Sequence, residues 1–174
     1  METIHHFLLA YGAIAIFVCI YFESMGVPLP GESAIVAASL LAGSGSMNLA
    51  TLLPAIFFGA VLGDCTGYAI GRYGGRRLLL RYGYLVKLTP ERLEKLEDQF
   101  RRRGVCIVMT ARFVVILRQL NGLIAGSAGM PFRRFLLANI VGAAAWTAVW
   151  GAGPYLAEEA YRPLVERWEA ARGR

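Results

Sequence analysis

Between Met1 and Gly71 the chain has no lysine or arginine, and between Gly104 and Tyr155 it has no aspartate or glutamate. Histidine is confined to His5 and His6, so the Arg-and-His constellation of a phosphohistidine lipid phosphatase cannot form, and neither GxSxG nor HExxH occurs. The three cysteines, Cys19, Cys65 and Cys106, lie in separate apolar segments without CxxC or Cys/His spacing. They read as small buried hydrophobes, which excludes a disulfide frame or a metal site. The N-terminus lacks the Lys or Arg and the A-x-A site of a signal peptide, and its apolar run leads into Glu23, so it is expected to be retained structure. No enzymatic activity, metal or cofactor is expected.

What is present is apolar. Of 174 residues 56% are hydrophobic and 17% charged, and the mean hydropathy is +0.49. That is too apolar for a soluble domain and predicts one all-α integral membrane domain. The formal charge of +6 could hint at nucleic acid, but ten of the eighteen basic residues lie between Arg72 and Arg103, beside apolar segments. The positive-inside bias explains that cluster better, so no nucleic-acid partner is expected and the segment is placed on the cytoplasmic side.

The chain repeats itself at an offset of 83 residues. Ala42-Gly43-Ser44 and Met47 return as Ala125-Gly126-Ser127 and Met130; Ala55, Gly59 and Ala60 return as Ala138, Gly142 and Ala143. The copies carry opposite charge, with Glu23, Glu32 and Asp64 in the first and Arg112 and Arg118 in the second. Acids in one apolar copy and bases in the other predict that the copies meet and share a buried polar site.

Phe7 to Phe22 is about 16 residues, roughly 24 Å of helix, marginal for a hydrocarbon core of about 30 Å. Glu23 and the break Gly26-Val27-Pro28-Leu29-Pro30-Gly31 follow, and apolar character resumes only from Ser33 to Ala42. This predicts a broken hairpin dipping into the membrane, centred on Gly26, Pro28, Pro30 and Gly31. Residues 49 to 71 read as a spanning helix whose Gly59, Gly63 and Gly67 face suits intramolecular packing or a homodimer equally.

Thr89-Pro90-Glu91 signals an N-cap, and Arg101, Arg102, Arg103 and Gly104 a basic last turn with a glycine stop. Between them Leu93, Leu96 and Phe100 share a face, and Glu91–Lys95, Glu97–Arg101 and Asp98–Arg102 form i,i+4 pairs. A surface amphipathic helix follows from this pattern. Val105 to Ala128, interrupted by Arg112, Arg118 and Asn121-Gly122, is a second broken hairpin, and residues 135 to 152 form the second span. Trp146 and Trp150 suit an interfacial belt, with helix packing as the other reading. Beyond Gly153-Pro154, residues 155 to 174 around Leu156, Leu164, Val165 and Trp168 read as a terminal amphipathic helix.

The organisation is therefore repeat one (about 7–72), a cytoplasmic linker (about 73–103), repeat two (about 104–153) and the terminal helix (about 155–174). If each hairpin enters and leaves on one face, the single span between them inverts the second copy, as in transporters with sites at the repeat interface. Arg133 and Arg134 then return to the cytoplasmic side and the uncharged Gly43 to Asn48 loop faces outward.

Charges within spanning helices cost roughly 2.5 to 3.5 kcal/mol each on insertion scales, so they need a reason. Glu23 and Glu32 flank the first break, and Arg112 and Arg118, six residues apart, bracket the middle of the second hairpin. Convergence on one cavity is the favoured reading; a purely structural Glu32–Arg118 bridge is the alternative. A guanidinium fork suits phosphate or carboxylate, and a carboxyl taken out of water holds its proton more readily. Asp64 is either functional or a hairpin lock against Tyr68 or Arg72. Asn121 is first a turn signal with Gly122.

Glu23-Ser24-x-Gly26-x-Pro28-x-Pro30-Gly31-Glu32, Gly63-Asp64-x-x-Gly67-Tyr68-x-x-Gly71-Arg72-x-Gly74, Arg112-Phe113, Arg118, Ala125-Gly126, Met130, Phe135, Asn139, Gly142 and Trp146 together resemble the DedA family, also called SNARE-associated Golgi or VTT-domain proteins. The resemblance covers roughly residues 20 to 152. It implies two opposed re-entrant hairpins, and a need for membrane acids at Glu23 and Glu32 and arginines at Arg112 and Arg118. It implies proton-motive-force-linked translocation of undecaprenyl phosphate or phospholipid across the cytoplasmic membrane by a multi-pass protein, while eukaryotic relatives resemble scramblases. The family's Pro-Gly between the arginines is replaced here by Val114-Val115-Ile116-Leu117, which predicts a milder second break or one displaced toward Asn121-Gly122. A further C-terminal span found in many members is not expected from residues 155 to 174. The expected function is a proton-coupled lipid transporter that binds an anionic head group at Arg112, Arg118 and Asn121, with Glu23, Glu32 and Asp64 as proton-coupling groups. A proton-coupled exporter of small cations or drugs, and a scramblase-like homeostasis factor, are the alternatives.

Overall fold

The structure, a computed structural model, describes residues 2–82 and 89–172. The side chains of 2–10, 75–80, 82, 115–116, 162 and 164–172 lie outside the described set, those of His5, His6, Leu164, Val165 and Trp168 among them. Helix α1 (Glu2–Met25) ends where Gly26 takes a φ of +120°, a conformation closed to most other residues. The chain then runs without helical bonding through Pro28 and Pro30, neither of which has an N–H to donate. Helix α2 (Gly31–Gly43) restarts at once, with Glu32 in its first turn, where the dipole favours an acid. A tight turn with Gly45 at φ +79° leads to α3 (Leu49–Tyr82), whose first turn Asn48 caps by accepting from Ala50 N–H at 2.8 Å.

The second half repeats this order. Helix α4 (Pro90–Thr110) is capped as expected by Thr89, which accepts from Arg92 N–H, but Gly104 does not stop it. The helix bends at Arg103 (φ −134°, ψ 27°) and continues, because Gly104 sits against Met130 in the protein interior and tertiary packing outweighs its stop signal. A 3-10 turn, Ala111–Phe113, and the extended Val114 (φ −119°, ψ 113°) separate α4 from α5 (Val115–Ser127). The break therefore lies between the two arginines, where β-branched valines do the work of the expected Pro-Gly. It is not displaced to Asn121-Gly122, which sits in the middle of α5.

After a turn with Gly129 at φ +76° come α6 (Phe132–Thr147), a π-turn (Ala148–Ala152) and α7 (Gly153–Arg172). Gly153-Pro154 does not end the helix as expected. The wider i→i+5 turn just before it absorbs the proline's missing donor and ring, and the helical path carries on. Helices α2 and α5 begin 84 residues apart, and α3 and α6 begin 83 apart, so the element boundaries follow the sequence offset.

Among the described residues two helical stretches are long and apolar enough to cross a membrane, Leu49–Gly74 with 26 residues and Phe132–Tyr161 with 30. At 1.5 Å per residue both exceed a core of about 30 Å. Helices α2 and α5, 13 residues each, reach only about 20 Å. Outward faces remain apolar, with Ile14, Phe58, Leu137 and Val149 all exposed, as a lipid-facing surface requires. Cys106 is exposed on such a surface, against the expectation that all three cysteines are buried; Cys19 and Cys65 are partly covered.

Helix α3 is central, packed between α1 and α5. Its Gly59 and Gly63 lie against the backbone carbonyls of Phe17 and Tyr21, and Gly67 against that of Met25, so α1 covers the glycine face within one chain. On the other flank Gly122 and Gly126 of α5 let its backbone touch Asp64 and Tyr68 of α3; a methyl at either would strike a carbonyl oxygen. One core gathers Tyr68, Leu93, Phe100, Ile124 and Phe135, and a second Ile20, Ile35, Ile56 and Trp146. The expected apolar face of α4 thus packs inward against α5 and α6. Arg101 and Arg102 both turn to Asp98, at 3.4 and 2.8 Å, so the expected Glu97–Arg101 pair is replaced and Glu97 is buried.

Candidate functional site

Glu23 stands in the last turn of α1, an unfavourable end for a carboxylate. The break relieves this by placing the start of α2 in front of it, where Gly31 N–H donates to Glu23 Oε1 at 3.2 Å. A side chain at residue 31 would occupy the space of that carboxylate, which explains the glycine after Pro30. Arg118, one turn into α5, donates from Nη2 to the same Oε1 at 2.7 Å, and its Nη1 lies 3.7 Å from Glu32 Oε1. Its guanidinium also stacks 4.9 Å over the Trp146 ring. Glu23 and Arg118 are both 3% exposed, whereas the Glu32 side chain is 31% exposed and gives the group its contact with the surroundings.

Arg112 is held by the 3-10 turn and is fully buried. Its Nη2 donates to Asp64 Oδ2 at 2.6 Å, to the Ala60 carbonyl at 3.3 Å and to Asn139 Oδ1. Asn139 in turn donates to the Val61 carbonyl at 3.2 Å, tying α6 to α3. Asn121 donates to the Val108 carbonyl in the last turn of α4 at 3.2 Å.

The expected meeting of Glu23, Glu32, Arg112 and Arg118 in one place takes the form of two ion-paired groups instead. Arg118 joins Glu23 and Glu32, and Arg112 joins Asp64. Asp64 is not a lock against Tyr68 or Arg72: Tyr68 gives its hydroxyl to the Met130 carbonyl, leaving Arg112 as the cation at Asp64. Asn121 makes no turn but holds the end of α4 from within α5. Every pair joins an acid of the first half to a base of the second.

Sequence reasoning missed two members. Asn139, a lone amide in an apolar helix, carried the signal that intramembrane polar residues give. Trp146 is 1% exposed and faces Arg118, so the interfacial-belt reading fails for it; nothing in a tryptophan's spacing separates the two roles. Around both groups several buried polar atoms have no protein partner, among them Arg112 Nε and Nη1, Arg118 Nε, Trp146 Nε1 and Glu23 Oε2. An interior so rich in unmet donors suits water or an oxygen-bearing ligand better than a dry core.

Among the described residues the fold is all-helical, with two apolar helices long enough to cross a membrane and charges paired between its halves. The family model of the VTT domain matches residues 29–153, which include every site residue named above except Glu23, Gly26 and Pro28. The chain belongs to this VTT-domain, or DedA, family. It is 40% identical over 149 residues to the uncharacterized membrane protein slr0232 of Synechocystis sp., covering 86% of this chain and 68% of that one. An uncharacterized membrane protein of Mycobacterium tuberculosis is 37% identical over 150 residues, 84% of this chain and 69% of the relative. The undecaprenyl phosphate transporter A of Bacillus subtilis is 27% identical over 119 residues, 68% of this chain and 60% of the transporter. No solved structure matches the chain significantly.

Proposed function

We propose that the protein carries the phosphate-bearing head group of an anionic lipid, undecaprenyl phosphate or a phospholipid, across the cytoplasmic membrane in exchange with protons. In this reading α1–α2 and α4–α5 are re-entrant hairpins of an inverted repeat in a multi-pass protein. Their breaks at Gly26–Pro30 and Ala111–Val114 bring acids and arginines together at membrane depth. The shortness of α2 and α5 supports it, as does the name of the Bacillus relative.

The observation that carries the proposal is the contact of Arg118 with Glu23 at 2.7 Å, nearly sealed, with Glu32 open beside it at 3.7 Å. Protonating a carboxyl there releases a guanidinium fork, which matches two phosphate oxygens as well as it matches a carboxylate. Head group and carboxylate compete for Arg118, and that competition is the coupling. Three acids and two arginines sum to one negative charge, so one bound proton leaves the set neutral and easier to expose to either side. Arg112, fully buried and with its Nη2 engaged by Asp64, Asn139 and Ala60, holds the halves together and is the less available arginine.

A cation exporter would need the acids free and the arginines turned to carbonyls; Arg118 on Glu23 argues against that arrangement. The test is translocation of labelled undecaprenyl phosphate or phosphatidylglycerol in proteoliposomes under an imposed pH gradient. Wild-type protein moves the lipid faster with the gradient, and Arg118→Gln abolishes the movement. Unchanged translocation by folded Arg118→Gln protein would overturn the proposal, and gradient-independent movement would make the protein a scramblase.

A further inference from the structure

The bend in α4 borders a cleft of about 430 Å³ between the charged half of that helix and the α5–α6 turn. Arg101, Arg102, Arg103 and Arg134 line it over apolar side chains that include Phe100 and Met130. Arg101 and Arg102 are engaged by Asp98, but Arg103 and Arg134 meet no carboxylate among the described residues. Arg103 is itself the residue of the bend, where α4 passes from the charged stretch 90–103 to the apolar stretch 104–110. Val105 and Phe132 stand exposed close by. A fifth arginine reaches the same turn, since Arg72 Nη1 lies 3.1 Å from where a Cβ on Gly129 would stand.

We propose that this cleft is a standing binding site for an anionic glycerophospholipid of the surrounding leaflet, with the phosphate between Arg103 and Arg134 and the glycerol and first acyl carbons on Phe100 and Met130. The cleft's volume falls in the range of small-molecule sites. Its charge is complementary to anionic lipid alone among bilayer components, and its place where an apolar helix meets a charged one is head-group depth. Lipid is favoured over a soluble anion because exposed apolar side chains adjoin the arginines. The inference rests on membrane embedding and not on transport. Arg118 is ten residues from Ala128 along α5, roughly 15 Å by helical rise, so the two sites are separate.

The experiment is native mass spectrometry of full-length protein released from nanodiscs holding equal amounts of phosphatidylglycerol and phosphatidylcholine. Wild-type protein retains phosphatidylglycerol preferentially. The pair Arg103→Gln with Arg134→Gln weakens retention roughly 30-fold, each arginine at head-group depth contributing about fivefold. The pair Arg103→Lys with Arg134→Lys restores most of it, which excludes misfolding as the cause. Neutralising Arg92 and Lys95 on the same helix, outside the cleft, leaves retention unchanged, and because the readout is retained lipid and not translocation, failure of the carrier reading leaves this measurement intact. Equal retention by the glutamine pair, an equal loss on neutralising Arg92 and Lys95, or displacement of the lipid by inorganic phosphate alone would each overturn the proposal.

Discussion

Arg118 and Glu23 stand 95 positions apart in the chain and 2.7 Å apart in space, each 3% exposed, with Trp146 from a third helix closing over the guanidinium. The contact joins the broken turn after α1 to the broken turn before α5, so whatever separates these two side chains also separates the halves of the molecule. A pair so sealed contributes little net stability, but losing one partner strands a buried charge.

Arg118→Met is therefore expected to destabilise the protein by about 3 to 5 kcal/mol. Adding Glu23→Gln removes the stranded carboxylate and recovers most of that loss, while translocation stays absent. Thermal melting in detergent beside the liposome assay checks both halves of the statement. A double variant no more stable than Arg118→Met would mean that the pair does not hold these helices.

At Arg112 the argument concerns geometry more than charge. One Nη2 serves Asp64, the Ala60 carbonyl and Asn139, so Asn139→Leu removes an acceptor from the guanidinium and a donor from Val61. The expected loss is about 1 to 3 kcal/mol. If Arg112 serves structure, translocation per folded molecule is unchanged. A lowered rate at full folding would move Arg112 into the transport path.

The sequence offset and the opposed charges were enough to expect that acids and bases would meet. The proline–glycine break at residues 26–31 was legible because proline and glycine act through the backbone itself. The partner of each arginine was not. Pairing Arg112 with Asp64 rather than with Glu32 depends on α5 lying directly on α3, which Gly122 and Gly126 permit and no local pattern announces. The failures at Gly104, Asn121-Gly122 and Gly153-Pro154 share one cause. Each is a stop or turn signal calibrated on chains that can hand their backbone groups to water, and in packed apolar surroundings the helix keeps its bonds, bending at Arg103, widening before Gly153 and running on through Asn121-Gly122.

A pH-dependent effect is expected at the start of α4. The fully exposed Glu91 carboxylate is held below its usual range by its own backbone N–H and then by the Thr89 hydroxyl. A lowered folded-state pKa means the stabilisation is complete above the ordinary value of 4.5 and is lost as pH falls through the folded value. Amide protection factors in the first turn of α4 should drop across that acid window. Thr89→Ala should bring the Glu91 titration back toward 4.5 and remove a cap of about 1 kcal/mol, and Glu91→Gln should abolish the pH dependence. Protection that is flat with pH in the unaltered protein would contradict the capping geometry.

Gly122 separates contact from propensity. A methyl at Gly122 meets the Asp64 carbonyl and the Tyr68 amide of α3, so Gly122→Ala pushes two backbones apart beside both ion-paired groups and is expected to destabilise by about 1 to 3 kcal/mol. Propensity alone moves the melting temperature upward when alanine replaces a helical glycine, so only the α3–α5 contact can drive it down. A melting temperature that rises in Gly122→Ala would mean that α5 does not lie backbone-to-backbone on α3, and that Asp64 and Arg112 reach each other by some other path.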